Sequence, residues 1–358
     1  MKILHVITSL EIGGAESLVT EFMLRFRQCG IDAELAVFNG KRTPLYEKLE
    51  KKGLKIHSFT KGPANVYNPA NIFRLYRLIN RGNYDIVHTH NTAPQFFAAV
   101  CKVLSPNTIL ITTEHNTTNR RRNISWWQPI DRWMYSRYSS IICISKQAKE
   151  NLDAYIGKTD HSNVILNGVD VKLFFNPIHT IPPGSPVILT MVAGLRQQKD
   201  QDTIIRALMY LPENIHLRIV GDGVRRNILR QLATDCNVTH RVDFAGTQID
   251  IPAQLRQADI VIMSSHFEGL SLSSIEGMAS GRPFIASDVD GLREVVDGAG
   301  LLFPHSDEKA LAKTIMSLVD NPQKYHNVAV ACQKRASLYH IDNTIRGYID
   351  IYNSFRHT

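Results

Sequence analysis

Short apolar segments alternate with amphipathic stretches along the whole chain, and this alternation restricts the folds that it can adopt. Helical patterns such as AESLVTEFMLRF (15–26) separate Val-, Ile- and Leu-rich segments in both halves. Continuous apolar segments with helical spacers indicate parallel strands that are covered on both faces. The expected strands are KILHVIT (2–8), AELAVF (33–38), KIHSF (55–59), DIVHT (85–89), TILITT (108–113), SIICIS (140–145), NVIL (163–166), PVILTMVA (186–193), HLRIV (216–220), VDFAG (242–246), DIVIMS (259–264) and PFIAS (283–287). The sequence therefore predicts two doubly wound α/β domains.

A connector rich in proline and glycine separates the two sets of segments. Around residues 170–186 the chain contains NPIHTIPPGSP, a composition typical of a hinge between domains. We therefore expect a first domain at 1–175 and a second at 186–341. The final segment, 342–357, has apolar residues at helical spacing, namely Ile345, Tyr348, Ile349, Tyr352 and Phe355.

The composition is that of a globular protein. With 358 residues and a hydrophobic fraction of 44%, the chain can fill two cores. It contains no 18-residue apolar run and no signal-like segment, so we expect an intracellular, cytoplasmic protein that does not span a membrane. The five cysteines are widely spaced and form no C-x-x-C pair, which argues against a disulfide framework or a cysteine zinc site.

Positive charge is concentrated in the first half. Residues 1–175 carry 23 Lys and Arg against 14 Asp and Glu, whereas the remainder carries 18 against 19. A basic first half suits an anionic membrane surface, a diphosphate-bearing acceptor or nucleic acid. No zinc finger, RNP motif or basic zipper accompanies the charge, so we do not expect a nucleic-acid partner.

Two glutamates, Glu268 and Glu276, stand eight residues apart in FEGLSLSSIEGMASGRPFIASD. The segment predicts a loop with Gly269, then a helix and a short strand. A helix N-terminus is an anion site because its first N–H groups lack partners within the helix. Carboxylates beside it need hydroxyl donors, which a sugar and a ribose joined by a diphosphate would supply. The alternative is an ordinary helix whose second glutamate faces solvent.

The E-x7-E spacing resembles that of retaining glycosyltransferases of family 4, which have the GT-B fold. Other elements of that family occur in the expected order: a Gly-Gly loop near the N-terminus, a histidine after a mid-domain strand, ILNGVD between the halves, and a basic loop ending at Lys199. The resemblance implies two facing Rossmann-like domains with an interdomain cleft. The first would lie on the acceptor side, completed by a C-terminal helix at about 342–358 that crosses back. The second, 186–341, would bind the nucleotide-sugar donor.

The resemblance also implies roles for the acidic segment. Glu276 would bind the ribose hydroxyls, and Glu268 would face the transferred sugar. Backbone amides would hold the distal phosphate, from Gly269, Leu270, Ser271 and Leu272.

A glycine loop and a histidine in the first half are further candidates. Gly13 and Gly14 follow the first strand, and glycines there allow close approach of a ligand to the next helix. The resemblance assigns this loop to the donor diphosphate and the acceptor, whereas the alternative is a plain strand-to-helix turn. His115 follows a strand in ITTEHNTT, and the resemblance implies that it faces the transferred sugar rather than acting as a cap or surface residue.

His88 and His90 in DIVHTHN share one face of a strand, as two metal ligands would. No third ligand is evident, and the family is usually independent of metals. We therefore expect a structural or cleft-lining role, with no metal ion and no cofactor.

Lys199 follows the first strand of the second half in MVAGLRQQKD. A flexible ammonium suits a diphosphate whose charge grows as the glycosidic bond breaks. Aligned on Lys199, the position where many family members carry an arginine is Gly194. Arg196 follows two residues later, and we expect it to take over the phosphate contact.

Three further positions are expected near the nucleotide. Gly223 lies in IVGDGVRR, where Arg226 stands at the third position of a dinucleotide fingerprint, so a hydride-transfer enzyme is disfavoured. FAGTQ (244–248) resembles the family segment whose backbone contacts the base, which implies that Thr247 makes this contact. Asn167 in ILNGVD either presents its amide to the cleft or forms a tight turn.

The segment 119–138 mixes arginines with aromatic residues: Arg120, Arg121, Arg122, Arg132, Arg137, Trp126, Trp127 and Trp133. This mixture suits a membrane interface or an acceptor sugar. The alternative is a buried aromatic helix beside a solvated basic loop. We expect peripheral attachment, on the inner face of the plasma membrane, or binding of a lipid-linked acceptor.

Taken together, the residues and the resemblance predict a retaining glycosyltransferase. It would transfer a sugar from a nucleotide-diphosphate sugar to a glycan or lipid-linked glycan acceptor in surface polysaccharide biosynthesis. The alternatives are a nucleotide-sugar epimerase of the same architecture and a degenerate nucleotide-sugar binding protein.

Overall fold

The computed structural model describes residues 1–11, 13–62, 65–115, 122 and 124–356. They form two compact units, one of Met1–Asn167 with Thr344–Thr358 and one of Gly168–Asn343. The division falls in the irregular segment that precedes the connector expected near 170–186. Within the described residues, no helix is long and apolar enough to cross a bilayer.

The first unit is built on a seven-stranded sheet in which every pair of neighbours is parallel. Its strands are β1 (Lys2–Ile7), β2 (Asp32–Val37), β3 (Ile56–Ser58), β4 (Ile86–His90), β5 (Ile109–Glu114), β6 (Ser140–Cys143) and β7 (Ser162–Val164). The order across the sheet is β3-β2-β1-β4-β5-β6-β7. The helices of this part of the chain are α1 (Gly14–Gln28), α2 (Pro44–Lys51), α3 (Ala70–Gly82), α4 (Thr92–Leu104), α5 (Trp127–Tyr135) and α6 (Lys146–Ile156).

The second unit has a six-stranded parallel sheet in the order β10-β9-β8-β11-β12-β13. Its strands are β8 (Val187–Val192), β9 (Ile215–Val220), β10 (Val242–Gly246), β11 (Ile260–Met263), β12 (Phe284–Ser287) and β13 (Leu301–Phe303). Its helices are α7 (Gln201–Ala207), α8 (Arg226–Asp235), α9 (Ile251–Arg256), α10 (Leu272–Ala279), α11 (Arg293–Val296), α12 (Glu308–Val319) and α13 (Pro322–Ser337). The predicted pair of doubly wound α/β domains is thereby confirmed, although β13 was not among the expected strands.

The central strands owe their apolar character to burial on both faces. Strands β11 and β12 are buried at every residue, as continuous apolar segments require. Strand order reverses between β1 and β4 in one sheet and between β8 and β11 in the other. Ligands of doubly wound sheets bind beyond the carboxyl ends of the strands at such reversals. Each unit therefore has one edge position at which a ligand is expected.

The last helix, α14 (Ile341–Ser354), supplies residues from Thr344 onward to the first unit. Its apolar face is the one that the helical spacing predicts, since Ile345, Tyr348 and Tyr352 are buried. Tyr348 packs on Phe22 with 4.7 Å between ring centroids, and Tyr352 lies 5.7 Å from Phe26. Two remote parts of the sequence thus share one core.

Candidate functional site

The predicted donor residues of the second unit follow four adjacent strands at one edge of its sheet. Thr247 comes after β10, Gly223 after β9, Lys199 after β8, and Glu268 after β11. Parallel strands end at the same edge, so these loops are neighbours. The loops after β8 and β11 flank the reversal of strand order.

Lys199 and Glu268 form an ion pair across this reversal. The Lys199 Nζ atom lies 2.5 Å from Glu268 Oε1, and the hydroxyl of Ser265 donates to the same oxygen at 2.5 Å. Glu268 is only 8% exposed. A carboxylate buried to this extent needs both a cation and hydrogen bonds to remain charged. The structure therefore joins two predicted catalytic residues and adds Ser265, whose sequence signal is a hydroxyl two residues after β11.

Arg196 caps the short 3-10 helix Gln197–Lys199 and is exposed. A Cβ atom built on Gly194 would lie 3.8 Å from the Arg196 Nε atom and would meet no closer atom than a backbone oxygen at 3.7 Å. The Arg196 side chain therefore passes beside the position from which an arginine at residue 194 would project. Its guanidinium forms no hydrogen bond with another described residue and so is available to a ligand.

Gly221 and Gly223 allow the loop after β9 to pack on the loop after β8. A Cβ atom on Gly221, which has φ of +139°, would lie 2.1 Å from the Ala193 carbonyl oxygen, and one on Gly223 would lie 2.5 Å from that of Leu195. The Leu195 amide also donates to the Asp222 carbonyl oxygen at 3.0 Å. These glycines therefore fix the shape of the neighbouring loop, a role that sequence reasoning did not assign to Gly223.

Helix α10 presents its N-terminus at the same edge. Ser271, which follows Gly269 and Leu270 and precedes Leu272, caps the helix. Its hydroxyl accepts a hydrogen bond from the Ser274 amide at 3.3 Å. Gly291, with φ of +81°, packs against this turn: a Cβ atom built on it would lie 2.0 Å from the Gly269 carbonyl oxygen. Only glycine fits there, so Gly291 supports the loop that carries Glu268. In the sequence, Gly291 could have been found only as a glycine in the loop that follows β12.

Glu276 lies in the second turn of α10. Burial raises the pKa of its carboxyl group to about 7. No donor among the described residues is paired with this carboxylate. A ligand that brings hydroxyl groups to Glu276 would supply the missing donors and favour the charged form.

In the first unit, the first turn of α1 contains a carboxylate, that of Glu16, which the sequence reasoning missed. A Cβ atom on Gly13 would lie 2.3 Å from Glu16 Oε2, so the Glu16 carboxylate lies at the N-terminus of α1, beside Gly13. Glu16 Oε1 also accepts from Asn91 Nδ2 at 3.2 Å, across the reversal between β1 and β4. Burial raises the pKa of this carboxyl group. The amides of this helix N-terminus thus already face a carboxylate, and a phosphate there would have to displace it, whereas no atom of the described residues lies within 4 Å of a Cβ atom built on Gly14.

His115 is half-buried just beyond β5, where its Nε2 atom lies 2.9 Å from His90 Nδ1. The expectation that His88 and His90 lack a third partner is wrong, because His5 on β1 places a ring nitrogen within 4.8 Å of theirs. A second such group consists of Asp200, His266 and His305 in the other unit. Both groups have ligand types that suit a transition metal. Both nitrogens of His88, however, already bond the Tyr352 and Thr113 hydroxyl groups, at 2.6 and 2.8 Å.

Asn167 is buried at the end of the first unit, and its Oδ1 atom accepts no hydrogen bond from the described residues. This burial distinguishes it from a turn residue that faces solvent.

The basic aromatic segment is divided between interior and surface. Arg122 pairs with Glu114 at 2.7 Å, and Trp133 packs on Phe96. These two residues therefore do not belong to an exposed patch. Trp126, 61% exposed, stacks on Trp127, while Arg132 and Arg137 are exposed. Arg120 and Arg121 lie outside the described residues.

The sequence of this chain matches the models of two protein families. Residues 12–173 match the model of glycosyltransferase family 4, and residues 175–335 match that of glycosyl transferases group 1. The chain is 27% identical over 354 residues to EpsD of Bacillus subtilis (strain 168), which is named as a glycosyltransferase; the match covers 92% of this chain and 91% of EpsD. It is 26% identical over 272 residues, 70% of each protein, to an Escherichia coli UDP-Gal:alpha-D-GlcNAc-diphosphoundecaprenol alpha-1,3-galactosyltransferase.

The fold is similar to that of Anabaena HepE in complex with UDP. The TM-score is 0.86 at 20% sequence identity, and the match covers 99% of this chain and 100% of HepE. HepE has also been solved with UDP-glucose. The relatives are named as transferases, so the epimerase and the degenerate binding protein are not favoured as alternatives.

Proposed function

The chain is a glycosyltransferase with the GT-B fold, made of a family 4 domain followed by a group 1 domain, and from this membership we propose that it transfers a sugar from a UDP-sugar with retention of configuration. The acceptor is a growing glycan, carried on a lipid, in the synthesis of a surface polysaccharide. The choice of UDP is supported by the nucleotide in HepE and by the donor in the name of the Escherichia coli relative.

The observation that carries the proposal is the Lys199–Glu268 pair beside the N-terminus of α10. A cation, a buried carboxylate and a set of helix N-terminal amides meet at the strand-order reversal of the second sheet. The amides and Lys199 suit a diphosphate, and the carboxylate suits sugar hydroxyl groups. Arg196, whose guanidinium is available, adds a second cation to the diphosphate.

The reaction proceeds on one face of the donor sugar. The bond between the anomeric carbon and the diphosphate oxygen breaks, and its electron pair remains on that oxygen. The acceptor hydroxyl oxygen forms the new bond to the anomeric carbon from the same side. Its proton passes to the departing diphosphate. Lys199, Arg196 and the amides of Gly269 to Leu272 stabilise the charge that develops on this leaving group.

The charge of the diphosphate is met by these residues, and no metal ion or cofactor enters the proposed reaction. Transfer assayed with excess EDTA should therefore proceed at the same rate as without it. The configuration of the product, read from its anomeric NMR signals, should be that of the donor. An inverted product, or a rate abolished by EDTA and restored by a divalent cation, would overturn this mechanism.

The base can be identified separately from the chemistry. A ligand that binds the folded state raises the melting temperature of the protein. UDP should raise it more than GDP or ADP at equal concentration. A larger shift with either purine nucleotide would contradict the assignment of a uridine donor.

The pKa of Glu276 predicts a pH dependence of donor binding. Ribose hydroxyl groups would stabilise the charged carboxylate, so its pKa should fall when the ligand binds. The affinity for UDP-glucose, whose diphosphate does not titrate in this range, should therefore rise about tenfold from pH 6 to pH 8. Isothermal titration calorimetry measures this change. The Glu276→Gln variant should bind more weakly at pH 8 and lose most of the dependence, whereas an unchanged slope would exclude Glu276 as its source.

The exposed aromatic residues of the first unit suggest how the protein reaches a lipid-linked acceptor. We propose that Trp126 and Trp127, with Arg132 and Arg137, attach the protein to the cytoplasmic face of the plasma membrane. The protein should float with vesicles of equal parts phosphatidylglycerol and phosphatidylcholine at low salt, and not with pure phosphatidylcholine.

Replacing Trp126 and Trp127 together by serine should reduce flotation several-fold. The matched control is Phe267→Ser, which removes an exposed aromatic side chain from the second unit and should leave flotation unchanged. Equal losses in both variants would contradict a specific membrane surface.

A further inference from the structure

We propose that His5 and His90 are positioning residues that fix which ring nitrogen of His115 carries its proton, so that His115 presents an Nδ1–H donor. The inference deepens the proposed function: the family resemblance implies that His115 faces the transferred sugar, and the inference rests on that function only for its consequence in catalysis.

Strand register brings the three histidines into one line. His5 on β1 is paired with His88 on β4, and His90 is paired with Thr113 on β5. Residues two apart on a strand point to the same face of the sheet. Each step from His5 to His90 to His115 therefore moves one strand across the sheet and two residues toward its carboxyl edge. The line begins in the core and ends at a candidate catalytic residue.

Hydrogen bonds connect the line without a break. His5 Nδ1 lies 3.0 Å from His90 Nε2, and His90 Nδ1 lies 2.9 Å from His115 Nε2. The rings of His5 and His90 are stacked at 5.3 Å between centroids, with 10° between their planes. His5 and His90 are fully buried, so neither water nor a ligand competes for these contacts.

All three imidazoles are neutral near pH 7, because burial lowers the pKa of each. The pKa of His5 falls to about 3 and that of His115 to about 4, and that of His90 lies well below its usual value. A neutral imidazole has one N–H donor and one acceptor nitrogen. Two consecutive N–H···N bonds therefore allow only two arrangements of the protons, which run in opposite directions.

The buried end of the line distinguishes the two arrangements. The Nε2 atom of His5 has no hydrogen-bond partner among the described residues. If the bonds ran inward, this atom would carry a stranded N–H donor; if they run outward, it is an unpaired acceptor. Orphaned buried N–H groups are the rarer of the two in proteins. We therefore infer that His5 Nδ1–H donates to His90 Nε2, and that His90 Nδ1–H donates to His115 Nε2.

The outward arrangement determines what His115 can do. Its Nε2 lone pair is occupied by His90, and its single proton is on Nδ1. His115 can then donate a hydrogen bond to an oxygen atom of the sugar or of the leaving group, and it cannot act as a base through either nitrogen.

His88 provides a matched control within the same cluster. It is as buried as His5 and stacks on it at 5.1 Å between centroids. Its nitrogens are paired with the Tyr352 and Thr113 hydroxyl groups rather than with the line. Loss of the His88 ring should therefore perturb the core to a similar extent without changing the proton position on His115.

The test is long-range 1H–15N correlation NMR of the free, full-length protein labelled with 15N-histidine, in which the cross-peak pattern identifies the protonated nitrogen of each ring. We expect wild-type His115 to be the Nδ1–H tautomer. His5→Leu should convert it to a mixture of tautomers, His5→Asn should restore Nδ1–H by supplying another N–H donor, and His88→Leu should leave it unchanged. Wild-type His115 in the Nε2–H form would overturn the inference, and this measurement needs no variant. Equal effects of His5→Leu and His88→Leu on the tautomer of His115 would overturn it as well.

Enzyme kinetics then separates this inference from the proposed function. His5→Leu should lower kcat several-fold with little change in the KM for the donor, and His5→Asn should recover the loss. The expected tautomers together with unchanged transfer would support the hydrogen-bonded line and would count against a contact between His115 and the sugar.

Discussion

Replacing Lys199 by methionine should lower kcat for glycosyl transfer by about a hundredfold or more, because the ammonium group is lost from the leaving diphosphate. Methionine keeps most of the aliphatic stem, so packing in the loop after β8 is preserved. The affinity for UDP should fall much less than kcat, since the charge on the leaving group is greatest in the transition state. Single-turnover kinetics with saturating donor measures the effect on the chemical step.

Lys199→Met also breaks the ion pair with Glu268, so a loss of stability must be separated from the loss of kcat. Among the described residues, Lys199→Met leaves the buried Glu268 carboxylate with the Ser265 hydroxyl as its one remaining partner, which should lower the free energy of unfolding by about 1–3 kcal/mol. The double variant Lys199→Met with Glu268→Gln removes this uncompensated charge. Its melting temperature should recover while its kcat remains low. If activity recovered together with stability, Lys199 would serve only to neutralise Glu268.

Replacing Arg196 by alanine should lower kcat by about tenfold to a hundredfold, since a second cation is removed from the diphosphate. Arg196 is exposed and forms no side-chain hydrogen bond with another described residue, so the melting temperature should be unchanged. Steady-state kinetics at saturating acceptor, together with a thermal melt, separates the two effects.

A relocated arginine gives this prediction a sharper control. Gly194 has room for a side chain, and a side chain there would start 3.8 Å from the present Arg196 Nε atom. The Gly194→Arg change should therefore restore much of the activity when it is added to Arg196→Ala. As a matched control, Arg225→Ala removes a nearby arginine that is paired with Asp202, and it should lower stability more than kcat. Failure of Gly194→Arg to restore transfer would show that Arg196 does not replace an arginine at position 194.

The sequence predicts the fold closely because the signals are local. Apolar segments such as Ile260–Met263 are buried along their whole length, as their unbroken apolar character predicts. The short strand Leu301–Phe303 lies outside the expected strands, whereas the equally short β3 and β7 coincide with longer expected segments. Candidate residues after each strand fall at one sheet edge for a topological reason, so Lys199 and Glu268 could be predicted as neighbours without knowledge of side-chain geometry.

Residues that act through pairing were harder to predict. The partnership of His5 with His88 and His90 depends on the register of β1 against β4, which no local pattern reveals. Glu16 lies at the N-terminus of α1, but the residue before that helix is Gly13, which lacks the side chain of a capping box. Arg122 belongs to a basic run in the sequence, yet its guanidinium pairs with Glu114. The His5 case depends on a partner remote in the sequence, whereas Glu114 lies only eight residues before Arg122.

The shared core of α1 and α14 determines when the first unit can complete its folding. A ribosome completes residues 168–343, the whole of the second unit, before it reaches Tyr348 and Tyr352. Until then Phe22, Phe26 and the His88 ring lack the two aromatic side chains that cover them. The first unit is therefore translated first, but its core is completed only after the whole second unit has been synthesised.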